Sequence, residues 1–159
     1  MPTEHKKFSS YQLVVFALIF IGAIGVKLWS YHMPTSAIIL KGERLEVLLA
    51  RTPSQQYRGL GGRNDLGDAD GMLFVFPEAA RTGFVMRDME FSIDMVWFSK
   101  GEVVDIAPSV PLEPGVAPQN LRVYYPRKEA DLFLELPAGW AAAHGLVIGD
   151  TLTSVEGPS

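Results

Sequence analysis

Three arginines, Arg58, Arg63 and Arg87, are the side chains whose type best suits holding a ligand. A guanidinium presents a rigid fork of donors that grips carboxylate or phosphate through two bonds at once. Arg58 is followed by Gly59 and then Gly61-Gly62, and a glycine-rich turn lets backbone N–H groups come close to a bound anion. These three residues are therefore the candidate binding set for an anionic ligand. The competing reading is internal neutralisation, Arg87 by Asp94 or Arg58 by Glu135, as expected where charges crowd a small domain.

Asp94 and Glu135 are the candidate catalytic residues. Each lies in an apolar run, Ile93–Phe98 and Leu132–Leu136, where a carboxylate is expensive unless it is paired. Two such groups about 5 to 9 Å apart could hydrolyse a glycosidic bond. Asp65, Asp68 and Asp70 before Gly71 invite a calcium reading, but the calcium-loop register and its closing Glu are not reproduced, which leaves solvated loop charges. The chain has no cysteine, which excludes disulfides, thiolate metal sites and cysteine nucleophiles. His5, His32 and His144 do not fall at metal-ligand spacing. Neither a metal nor a cofactor is expected, and His144 reads as a helix-end residue. Phe74, Phe76, Met86, Met95 and Trp97 read as core, while Tyr124, Tyr125 and Trp140 could stack on a sugar or peptide.

The elements that must carry these residues are mostly short strands. Ala37–Leu40 and Arg44–Ala50 alternate around a Lys-Gly-Glu turn. Thr52-Pro-Ser-Gln55 is a capping box opening a helix from Pro53 to Leu60, stopped by Gly61-Gly62. Met72–Phe76, Phe84–Met86, Ile93–Phe98, Glu102–Ala107, Asp131–Leu136 and Thr151–Val155 read as further strands, with a short helix between Pro137 and Gly145. Five prolines between Pro108 and Pro126 exclude a central strand there, leaving an ordered loop or a mobile arm. The fold class is mainly β: a small sandwich, jelly-roll-like, or partly closed barrel with one or two short helices.

Ahead of this body, Phe8–Val26 carries no charge, with Lys6-Lys7 before it and Lys27 after it. That is about the length of a membrane-crossing helix. The division is 1–7 as a cytoplasmic leader, 8–27 as an uncleaved transmembrane anchor or a cleaved signal, 28–36 as a linker, and 37–159 as a domain outside the cytoplasm. With signal cleavage the domain would be secreted or periplasmic. The first 27 residues hold three lysines and Glu4, so the rest holds 11 basic and 17 acidic side chains. An acidic body argues against nucleic acid, which needs a basic footprint.

The ordered motifs resemble a known family. Arg58-Gly59-Leu60, Arg63, Gly71–Phe76, Phe84, Met86-Arg87, Asp94, Leu134-Glu135-Leu136-Pro137-Ala138-Gly139, Gly145 and Gly149-Asp150 are together similar to the exported family called domain of unknown function 192, over about residues 44–155. The resemblance implies a small β-sandwich or jelly-roll-like fold and supplies no activity. It also implies Met at position 61, Trp at position 85 and cysteines in the proline-rich loop. This chain has Gly61, Val85 and no cysteine. The function expected is a membrane-tethered binding or accessory module for an anionic small molecule, a glycan or an envelope protein. A hydrolase using Asp94 and Glu135 is the alternative.

Overall fold

The computed structural model describes residues 10–31 and 33–154, with side chains of the first helix described from Tyr11 to Gly22. The chain divides into two compact units, Met1–Met33 and Pro34–Ser159. The first contains helix α1, Ser10–Tyr31. It continues through the start of the segment read as a linker, and Pro34 follows just beyond its end. From Leu13 to Ile21 its large apolar side chains are exposed. Among the described residues no helix is long and apolar enough to cross a membrane. The leader 1–7 lies outside the described residues.

The second unit is one seven-stranded sheet. Its strands are β1 (Thr35–Leu40), β2 (Glu43–Ala50), β3 (Gly71–Ala80), β4 (Ile93–Ser99), β5 (Glu102–Val110), β6 (Ala130–Pro137) and β7 (Leu152–Ser154), in spatial order β5-β4-β6-β3-β2-β1-β7. Helices α2 (Pro53–Arg58) and α3 (Trp140–Ala143) are the others in the unit. Neighbours pair antiparallel except β2 with β3, which run parallel. A parallel pair needs a crossover, and α2 with its following loop supplies it. The sheet curls until its outer strands meet at one end. Val103 N–H donates to Asp150 O at 2.8 Å and Leu152 N–H to Gly101 O at 2.8 Å, with a bridge between Glu102 and Thr151. The result is a curled half-barrel built from a single sheet, so the partly closed barrel is the version of the expectation that forms.

Both faces of the central strands are covered, which is why β4 reads as an apolar run interrupted by Asp94. On one face Val96, Phe98, Leu134, Leu136, Leu73 and Leu49 form the main core with Ile38 and Leu146. On the other, Phe133 is surrounded by Phe84 (ring centroids 3.6 Å apart), Phe74 (5.2 Å) and Trp97 (5.2 Å). Burying each such side chain contributes about 1.5–3 kcal/mol. Two expected elements differ. Phe84–Met86 is no strand but a single bridge from Phe84 to Tyr124. β3 continues past Pro77 to Ala80, but its register with β6 breaks between Val75 and Ala80, as a missing N–H requires. The proline-rich segment is an ordered loop, with a 3-10 turn at Pro118–Asn120 and Glu113 accepting from Arg122 N–H at 3.0 Å.

Candidate functional site

The capping box forms as read: Gln55 N–H donates to Thr52 Oγ1 at 3.4 Å, and Thr52 N–H to Gln55 Oε1 at 3.0 Å. Gln56 Nε2 donates to Val75 O at 2.9 Å, locking α2 onto β3. The end of α2 is thereby fixed over the aromatic face of the sheet. Gly59 turns the chain with φ +54° and ψ −140°, and the positive φ suits a residue without a side chain. A Cβ there would lie 3.4 Å from Phe74 and 4.0 Å from Glu135 Oε2.

Beneath this turn is a cavity of about 270 Å³, walled by Phe74, Phe76, Phe84 and Val85, with Arg58, Arg87 and Glu135 also on its lining. Arg87 lies over the Tyr57 ring, 3.8 Å from its centroid, and donates to the Tyr57 carbonyl. The stack fixes the guanidinium at one side. Arg87 also borders a second cavity, about 280 Å³, under the proline-rich loop. Arg63 is half-buried and is not on the lining of the first cavity. Of the three arginines singled out, two are brought together.

Three acids are buried in the sheet, and each is treated differently. Asp94 Oδ1 accepts from Ser109 N–H at 2.7 Å and Gly139 N–H at 3.1 Å, and Oδ2 from Ala141 N–H at 2.7 Å. It ties β5 to the turn that opens α3, so the Arg87–Asp94 pairing is replaced by three backbone donors. Asp105 is held by Arg127 through its backbone N–H (2.7 Å), Nε (2.9 Å) and guanidinium terminus (2.6 Å). Burial raises its pKa, but those bonds outweigh burial and the net shift is downward. Glu135 has no such support: its Oε2 is buried without a hydrogen-bond partner. Burial pushes its pKa up from 4.5 to about 8, so the carboxyl is mostly protonated at neutral pH.

Register explains the isolation. Glu135 stands opposite Met72 on one side and Met95 on the other, and directly paired residues share a face. Asp94 pairs with Leu136, so by strand alternation it faces the other side of the sheet. The two carboxyls therefore do not gather around one substrate bond. The remaining residues of interest are structural. Asp65 Oδ1 accepts from Gly67 N–H at 3.0 Å and Asp70 Oδ2 from Glu46 N–H at 2.8 Å. His144 ends α3 and stacks on Trp140 at 4.0 Å, and Tyr124 bridges to Phe84. Sequence reasoning placed Phe74 and Phe76 in the core and gave no site role to Tyr57; aromatic periodicity alone does not mark a cavity wall.

The family profile of domain of unknown function 192, described as Uncharacterized ACR, matches residues 37–154. The chain belongs to this DUF192 family. No curated protein matches it. Among solved structures it is similar to "a putative transcription regulator" from Sinorhizobium meliloti 1021, with 26% identity and a TM-score of 0.68 over 77% of this chain and 95% of that one. It is also similar to a protein of unknown function from Novosphingobium aromaticivorans DSM 12444, with 25% identity and a TM-score of 0.61 over 76% of this chain and 84% of that one. Two of the three departures from the pattern that the resemblance implies touch the site. A Cβ at Gly61 would lie 2.8 Å from Arg87 O, so glycine lets the turn after α2 close onto the turn at Arg87. Val85, where the resemblance implies Trp, lies on the cavity lining.

Proposed function

We propose that this DUF192 protein is a membrane-tethered module outside the cytoplasm that binds a small anionic ligand. The observation that carries the binding reading is the convergence of Arg58, Arg87 and Glu135, whose Oε2 has no hydrogen-bond partner, on one aromatic cavity. A largely apolar pocket with a few converging polar groups is the usual form of a small-molecule site. A buried acid with a raised pKa on a cleft is a functional-site candidate. The tether is supported by the uncharged stretch Phe8–Val26 behind two lysines and by the exposed apolar side chains of α1. A role on nucleic acid, as the name of one structural neighbour suggests, would need a basic surface, whereas residues 28–159 carry 17 acidic and 11 basic side chains.

Thermal unfolding of the full chain, with carboxylates and phosphates set against uncharged analogues, tests the site. At least one anion should raise Tm by mass action, and Arg58→Gln or Arg87→Gln should remove the effect. Equal stabilisation by charged and uncharged compounds refutes anion binding. Recovery of the intact chain in the soluble cytosol on fractionation refutes the tether.

A further inference from the structure

The arginines account for only part of the cavity lining. The same lining includes Glu135, whose Oε2 has no donor, with Met72 and Met95 as its cross-strand neighbours and phenylalanine rings on the cavity wall. A buried oxygen in that condition is among the few that native proteins leave unsatisfied, and a ligand that brings an N–H group would satisfy it. Aromatic faces beside a carboxyl favour a cationic nitrogen, since the ring quadrupole attracts positive charge. An anionic group held by the guanidinium groups and a cationic nitrogen at the carboxyl define one chemical class.

Resting on the anion-binding reading above, the geometry points to a zwitterionic ligand. It is a small amino acid-like molecule whose ammonium group meets Glu135 Oε2 and whose carboxylate is held by Arg58 and Arg87. The lining brings no second acid to compete for the ammonium: its titratable or charged groups are Arg58, Arg87, Glu135 and the Tyr57 phenol. The nearest neighbours of Glu135 across β3 and β4 are the neutral Met72 and Met95. Glu135 is mostly protonated before the ligand arrives, so its proton passes to solvent as the ammonium takes its place.

Isothermal titration calorimetry of the full chain at neutral pH, in buffers of differing ionisation enthalpy, tests this with three amino acids of different length and bulk: phenylalanine, leucine and 6-aminohexanoate. Each is paired with the acid lacking its amine: 3-phenylpropanoate, 4-methylpentanoate and hexanoate. The expected result is that at least one amino acid binds about tenfold or more tightly than its partner acid and releases a proton. In Glu135→Gln the preference and the proton release should both vanish. Proton release is read on the wild-type chain, so it stands even where the variant folds poorly. Equal binding of the amino acid and its partner acid overturns the zwitterion and leaves anion binding intact. Equal binding of phenylalanine and 2-phenylethylamine, which has no carboxylate, overturns both. Binding by none of the three amino acids overturns the zwitterion, while the anion reading stands or falls on its own thermal screen.

Discussion

Replacing Glu135 by Gln should change how stability depends on pH more than stability itself. In the folded chain burial holds the carboxyl's pKa at about 8, against an ordinary value of 4.5. Between those limits the folded state keeps a proton that the unfolded chain has released, so raising the pH favours unfolding. The slope approaches about 1.4 kcal/mol per pH unit. Across a window of about three and a half pH units it accumulates to at most on the order of 5 kcal/mol, and above pH 8 it levels off. Glutamine has the same shape and does not titrate. The two proteins should therefore agree to about 1 kcal/mol near pH 5 and diverge through pH 7, with the variant more stable by several kcal/mol at pH 9. Urea unfolding of both full chains at these three pH values, followed by the fluorescence of Trp97 and Trp140, measures the gap. Parallel stability curves from pH 5 to 9 would show that Glu135 is solvated or ionised in the fold and would remove the basis for its role in the cavity.

Asp94→Ala strips the acceptor from three backbone N–H groups and should cost about 3–5 kcal/mol, read as a large fall in Tm; a change under about 1 kcal/mol would contradict its structural role. Val85→Trp inserts an indole into the cavity lining. It should abolish ligand-induced thermal shifts while changing unfolding free energy by less than about 1.5 kcal/mol; a ligand shift that survives the substitution would place the binding site elsewhere.

Much of the fold was legible because its signals are local. Alternation located β1 and β2, a hairpin turn between apolar runs located β4 and β5, a further apolar run located β6, and Thr52-Pro53-Ser54-Gln55 specified a helix start whose bonds lie within four residues. Phe84–Met86 misled because apolar, aromatic residues suit a bridge and a buried loop as well as a strand, and only the partner Tyr124 separates them. The site is less local still. That Asp94 and Glu135 are buried acids follows from their apolar neighbours, yet which of them is satisfied depends on register. With Met95 opposite Glu135, one carboxyl meets the amides of Ser109, Gly139 and Ala141 while the other faces phenylalanine rings. Composition and periodicity determined the mainly β class and the two anomalous acids, and the order of the motifs pointed to the family. The tertiary structure alone decided that Arg58 and Arg87 share a cavity with Glu135 and that Arg63 does not. Those residues are up to 77 positions apart, and only strand pairing and the closing of the α2 turn over the sheet bring them together.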